Sequence, residues 1–138
     1  MDPDTSEPEA GGRRRQVLVI DDEPLVLRVA CLMVHRLGHT AHGAAGSQEG
    51  LSLLREKRDE IDLIIMDMLM PGLSGGRLVE EIISIKPDAQ VVLASGAAQP
   101  ERIVERYAAV RGWLMKPFRM EDLRRLVEES GPGHADQD

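Results

Sequence analysis

Short, wholly apolar runs that stop abruptly at a polar residue constrain this chain more than any other feature. Gln16-Val17-Leu18-Val19-Ile20 stops at Asp21-Asp22, Leu63-Ile64-Ile65-Met66 at Asp67, and Gln90-Val91-Val92-Leu93-Ala94 at Ser95-Gly96. A strand with one face in water alternates apolar and polar residues. Runs without alternation belong to strands covered on both faces, which are parallel strands. Parallel neighbours cannot be joined by tight hairpins, so each needs a crossover, and the sequence between the runs supplies helices.

The first helix is expected at about 24–37. Pro24 suits a first turn, Leu25, Val29, Leu32, Met33 and Leu37 recur at helical spacing, and Gly38 ends the run. Further helices are expected near 47–58, 75–85, 100–109 and 120–129, with a weak strand near 39–44 and a short one near 112–115 that stops at Lys116-Pro117. Five strands alternating with five helices give an α/β fold: a doubly wound parallel sheet with helices on both faces. The folded body spans 16–130. The Pro-, Gly- and acid-rich start, 1–15 with its Arg13-Arg14-Arg15 run, and the polar end, 131–138, are expected to be disordered tails.

Composition removes several function classes. With 138 residues, a single core suffices without disulfide or structural metal, and the lone Cys31 forms no internal bridge. No apolar run approaches the ~18–20 residues of a membrane span, and the start lacks the apolar segment of a secretory signal, so a cytoplasmic protein without membrane contact is expected. The 17 Lys and Arg stand against 24 Asp and Glu, a net charge of −7 that argues against nucleic-acid binding.

Open parallel sheets bind ligands beyond the carboxyl ends of their strands, where this chain gathers Asp21, Asp22, Asp67, Ser95 and Lys116. Any one has an ordinary explanation as a cap, loop or surface residue. Together they make a pocket. Carboxylates crowded within a few ångströms repel unless a cation sits among them. An all-oxygen set without His or Cys favours Mg²⁺, with Mn²⁺ as the alternative hard cation. Adding an ammonium and a hydroxyl gives a receptor for a phosphoryl group.

The runs Val19-Ile20-Asp21-Asp22-Glu23-Pro24, Asp67-Met68-Leu69-Met70-Pro71-Gly72-Leu73-Ser74-Gly75, Ala94-Ser95-Gly96 and Gly112-Trp113-Leu114-Met115-Lys116-Pro117-Phe118 resemble those of the receiver domain of two-component response regulators, a flavodoxin-like, chemotaxis-type fold. The resemblance covers Val17 to about Val127 and implies strand order 2-1-3-4-5 in three α/β/α layers. It implies that Asp67 accepts a phosphoryl group from a phosphohistidine of a histidine kinase or histidine phosphotransfer protein. Asp22 and Asp67 would hold Mg²⁺ directly, Asp21 through water, and the Leu69 backbone carbonyl would complete the set. Lys116 would hold a phosphoryl oxygen, and the Lys116–Pro117 bond would be cis. Ser95 would sense the phosphate, and Trp113 would turn inward as the switch aromatic. The output is a change in protein–protein contacts of a monomer or weak homodimer with an unidentified downstream protein. Leu69 and Ala97, two residues beyond Asp67 and Ser95, cannot orient a water, so slow dephosphorylation is expected. Two other readings compete. A Mg²⁺-dependent aspartate phosphohydrolase would need an acid at position 69, and a phosphorylation-independent binding module would not need the intact acidic set.

Other signals read as ordinary. His35, His39 and His42 are expected at a solvent-facing helix end rather than on a metal. Cys31 is expected as a small core residue, Met66, Met68 and Met70 as a stripe with one face in the core, and Asp59, Glu60 and Asp62 as loop charges.

Overall fold

The computed structural model describes residues 14–96 and 100–129, so residues 1–13 and 131–138, read as tails, lie outside the described residues, as does Ala97. The elements run β1 (Gln16–Ile20), α1 (Pro24–Arg36), β2 (Thr40–Ala44), α2 (Ser47–Glu56), β3 (Leu63–Asp67), α3 (Gly75–Ile85), β4 (Val91–Ser95), α4 (Glu101–Arg106), β5 (Val110–Met115) and α5 (Met120–Glu128). The five strands form one parallel sheet in the order β2-β1-β3-β4-β5.

The apolar runs occupy the middle of the sheet because both their faces are covered. Every residue of β3 and β4 is buried, as are four of the five in β1. Alternate side chains feed two cores. Leu18, Ile20, Ile64, Met66 and Leu93 meet Leu51 and Leu54 of α2 and Leu78, Val79 and Ile82 of α3. Val17, Val19, Ile65, Val92 and Leu114 meet Ala30 and Val34 of α1 and Leu123 and Val127 of α5. Met68 and Met70 pack on the same core as Met66, and Cys31 packs against the other core, where burial raises its thiol pKa.

Four expectations change. First, the stripe that marked α1 as a helix is divided: Met33 and Leu37 pack against the core beside buried Ala30 and Val34, while Leu25, Val29 and Leu32 are 74%, 50% and 57% exposed. The sheet approaches α1 on its small-residue side. Second, α4 ends at Arg106 rather than near 109. Tyr107 turns extended at φ −120°, ψ 118°, its hydroxyl donates to Glu80 at 2.5 Å, and the Ala109 carbonyl already accepts from Val91 N–H. β5 therefore starts at Val110, with a register shift: Val91 pairs with Val110 but Val92 with Gly112, leaving Arg111 as an extra residue.

Third, the histidines are not a solvent-facing cluster. His39 is buried; its Nδ1 accepts from Arg15 N–H at 3.0 Å, and its Nε2 has no hydrogen-bond partner among the described residues. His42 Nε2 meets Gln16 Oε1 at 2.7 Å. Fourth, Asp62 is more than a loop charge, since its carboxylate accepts the N–H of Gln16 at 2.8 Å and so caps the start of β1. Arg15 also donates from its guanidinium to the carbonyls of Val127 and Glu128, tying the start of β1 to the end of α5.

Two measurements test this packing. Gly50 of α2 lies against buried Ile20: a Cβ there would stand 2.6 Å from its Cδ1 and 2.8 Å from its Cγ1. Gly50→Val is expected to cost about 1–3 kcal/mol, seen as a lower urea midpoint. Burial lowers the His39 pKa below 6.5, with Glu128 opposing and Arg15 and Arg14 assisting, Asp62 acting weakly the other way. The unfolded chain therefore binds more protons between the folded pKa and 6.5. His39's contribution is full above 6.5 and falls as pH drops through that window. His39→Asn, which keeps an acceptor without the titration, is expected to flatten the pH dependence of the urea midpoint below 6.5. His42, whose pKa burial also lowers, contributes a slope of the same sign that the substitution leaves in place.

Candidate functional site

Each chemically active residue marks the place where a strand leaves the sheet. Asp21 follows β1 and its N–H donates to the Ala44 carbonyl of β2; Asp67 and Ser95 are the last residues of β3 and β4; Lys116 follows β5 and its N–H donates to the Ser95 carbonyl at 2.9 Å. Backbone ladders thus fix the height of all four groups before any side-chain contact forms.

The side chains converge. Lys116 Nζ lies 2.9 Å from Asp21 Oδ2 and 3.2 Å from Asp67 Oδ2. The other Asp21 oxygen accepts from Glu23 N–H at 2.9 Å, and the other Asp67 oxygen from Leu69 N–H at 3.2 Å. Asp22, half-buried, joins them: one carboxylate oxygen from each of Asp21, Asp22 and Asp67 lies within 4.8 Å of the others. Ser95 is buried at the same edge, while Trp113 is 37% exposed on β5 and Leu69 is 64% exposed at the mouth. The Lys116–Pro117 peptide is cis. All the residues expected at the strand ends are therefore brought to one edge; Trp113 stands outside the cluster, and Ala97 lies outside the described residues.

Electrostatics hold the lysine charged. Burial alone would lower its pKa, but the hydrogen bond and charge of Asp21, then those of Asp67, outweigh it and raise the value above 10.5. The pairing therefore contributes fully below 10.5 and is lost only as pH rises through the higher folded value. Three carboxylates facing one ammonium leave an excess of negative charge. Oxygen-only donors at this spacing suit a hard divalent cation.

Comparison with known proteins settles the family. The response regulator receiver domain profile matches residues 17–128. The chain belongs to the receiver domain family. Among relatives of this receiver domain, the sensor kinase CckA of Brucella abortus is 31% identical over 114 residues, which are 82% of this chain and 12% of that protein. The two-component response regulator ARR11 of Arabidopsis thaliana is 31% identical over 111 residues, 79% of this chain and 21% of that one. The chain thus spans a small part of these relatives. A solved response regulator receiver domain protein from Clostridium thermocellum has 32% identity and a TM-score of 0.76, covering 82% of this chain and 90% of that chain. The receiver domain of the hybrid histidine kinase CckA has 29% identity and a TM-score of 0.69, covering 83% and 96%. Receiver domains generally bind Mg²⁺, and the acidic cluster here fits such an ion. No helix among the described residues is long and apolar enough to cross a membrane.

The sequence reading missed one part of the site, an apolar wall beside it. Leu25, Val29, Leu69 and Phe118 line a cleft that also contains Asp67 and Lys116. The signal was present in the apolar stripe of α1, Leu25, Val29, Leu32 and Met33, which exceeds what a helix needs to cover one side of a sheet.

Lys116→Met tests the charge balance. Without the ammonium, Asp21 and Asp67 keep their burial but lose their cation. Stability in metal-free buffer is expected to fall by about 2–3 kcal/mol, short of the ~3–5 for a fully enclosed pair. Added Mg²⁺ should restore more of the urea midpoint in the variant than it adds to wild type.

Proposed function

We propose that this receiver domain is a phosphorylation switch in which Asp67 is the acceptor. The observation that carries this reading is the contact of Lys116 Nζ with Asp67 Oδ2 at 3.2 Å, beside an acidic pair able to hold a cation. An Asp67 oxygen attacks the phosphorus of a phosphohistidine on a histidine kinase or phosphotransfer protein. The P–N bond breaks, and the imidazole leaves with the electron pair and takes a proton. Lys116 holds a phosphoryl oxygen, exchanging one carboxylate partner for it, and so keeps its charge paired throughout. Asp22, Asp67 and the Leu69 carbonyl would hold Mg²⁺ directly and Asp21 through water, and the ion would supply positive charge against the phosphoryl oxygens.

Ser95 then reads the product. Its hydroxyl gains an anionic oxygen to bond, which draws the loop after β4 toward the site. Trp113, exposed on β5, follows that movement and alters the surface offered to a downstream protein. The exposed α1 stripe Leu25, Val29 and Leu32 suits a phosphodonor protein that presents an apolar helix face. The domain works as a cytoplasmic signalling module that catalyses only its own phosphorylation and dephosphorylation. An apolar Leu69 supplies no proton to a leaving group, which counts against a phosphohydrolase turning over other substrates.

The test is intact mass after incubation with Mg²⁺ and phosphoramidate, a P–N donor like phosphohistidine. Wild type is expected to gain one phosphoryl group and Asp67→Asn none; equal labelling of both would overturn the assignment. A fluorescence change of Trp113 should accompany labelling. Once formed, the phosphoaspartate should decay slowly, because Leu69 cannot orient an attacking water. Leu69→Asn is expected to hasten the loss of the added mass severalfold, measured after the donor is removed.

A further inference from the structure

At the amino end of the sheet, a buried ring takes the place of a backbone acceptor. The β1–β2 ladder starts at Gln16 and Thr40, and one step earlier the Arg15 carbonyl still accepts the Thr40 N–H at 2.9 Å. The Arg15 N–H has a side chain as its acceptor instead, Nδ1 of His39 at 3.0 Å. Nδ1 accepts only while it carries no proton, so the neutral ring holds its proton on Nε2. His39 is 1% exposed, and that Nε2 has no hydrogen-bond partner among the described residues. A second proton therefore has no place in the closed structure. On Nδ1 it faces the Arg15 N–H, donor against donor, and leaves a charged buried ring with two unmatched N–H groups. The same Arg15 holds the end of α5, its guanidinium donating to the carbonyls of Val127 and Glu128 at 3.0 and 3.1 Å.

Burial opposes protonation of the ring most strongly. Glu128 of α5 favours it, Arg15 and Arg14 before β1 oppose it, and Asp62 before β3 favours it weakly. From α1 the ring's residue meets the uncharged Val34 carbonyl, which accepts the His39 N–H at 3.2 Å. Of the parts that could yield, residues 14–15 are the outermost: Arg14 is exposed, Arg15 is half-buried, and among the described residues the core begins at Val17. We infer that residues 14–15 are a proton-operated strap: protonation of His39 frees them from β2 and from the end of α5 together, while the sheet and the phosphoryl site stay folded. Both attachments open at once because the backbone N–H and the guanidinium belong to one residue. Opening lets water reach the ring and restores its ordinary affinity for a proton. The strap is therefore closed above pH 6.5 and opens as pH drops through the lower folded value. It stands about one strand length, ~17 Å, from Asp67, and so is an input separate from phosphorylation. By linkage, whatever holds residues 14–15 against α5 makes His39 harder to protonate.

The experiment follows amide exchange of the full chain by NMR at about pH 7.5 and 5.5, on either side of the ordinary histidine value, each rate divided by that of an unstructured peptide at the same pH. The amides of Arg15, Thr40 and Glu129 read the strap, and those of Ile64 and Met68 read the sheet. In wild type the protection of the first three is expected to fall about fivefold or more at the lower pH, the equilibrium worth of one hydrogen bond. Ile64 and Met68 should be unchanged. The carbon-bound protons of the His39 ring should titrate over the same range. In His39→Asn the step should vanish. In Arg15→Gln, which keeps the backbone N–H and shortens the side chain, Thr40 should keep its step while Glu129 is weakly protected at both pH values. Arg15 lies outside the core, so this variant tests the strap even if His39→Asn fails to fold. An equal fall at Ile64 and Met68 would mean that the whole fold opens, and would overturn the inference. So would a step that survives His39→Asn, a Glu129 step that survives Arg15→Gln, or no step at all in wild type.

Discussion

The ammonium of Lys116, held between Asp21 and Asp67, is the contact on which the geometry of this site depends. Strands in a sheet lie ~4.8 Å apart, so a residue at the end of β5 starts about two strand spacings from β3 and three from β1. Only a long side chain passes over β4 to reach both. Lys116 does so from a position fixed by the hydrogen bond of its own N–H to the Ser95 carbonyl at the end of β4. Carboxylates on two strands that would repel each other therefore share one counter-charge. The arrangement is tight yet replaceable, because a phosphoryl oxygen offers the ammonium the same kind of partner.

Much of this was legible from the amino-acid order. β1, β3 and β4 are buried on both faces, so their sequences carry no alternation, and the first polar residue after each run had to be where the chain leaves the core. This places Asp21, Asp67 and Ser95 without any knowledge of their contacts. What periodicity could not supply was direction. The helix α1 carries apolar residues on more than one side, and period alone does not say whether Leu25, Val29 and Leu32 or Ala30 and Val34 face the sheet; the small pair does, since the sheet comes close there. The end of α4 was hidden for a different reason. Ala108, Ala109 and Val110 have no local signal against helix, and the contacts that stop the helix before them, Tyr107 to Glu80 and Ala109 to Val91, come from elsewhere in the chain. His39 was misplaced similarly, because its partner Arg15 lies 24 residues away.

The two ends of the sheet divide the work. At the carboxyl end, charge is concentrated and exposed to a cleft, and the groups there are held by few contacts beyond their own backbone ladders. At the opposite end, Arg15, His39, Asp62 and the last carbonyls of α5 form a set of hydrogen bonds that closes the fold. Separating them lets groups at one end change partners while the other end holds the helices in place.

The extra residue in β5 has an effect out of proportion to its size. Val110 and Leu114 are four residues apart, a spacing that puts both on one side of a regular strand, yet Val110 packs in the core of α2 and α3 and Leu114 in that of α1 and α5. The inserted Arg111 turns the strand over between them. Every side chain after it is thereby assigned to the opposite side, so that Trp113 lies in register with Leu93 and shares the α3 side of the sheet. Had Arg111 paired as in a regular strand, Trp113 would have stood opposite Ala94, on the α5 side of the sheet. A single surplus residue at the silent end of the sheet thus decides which neighbour the aromatic ring can listen to at the other.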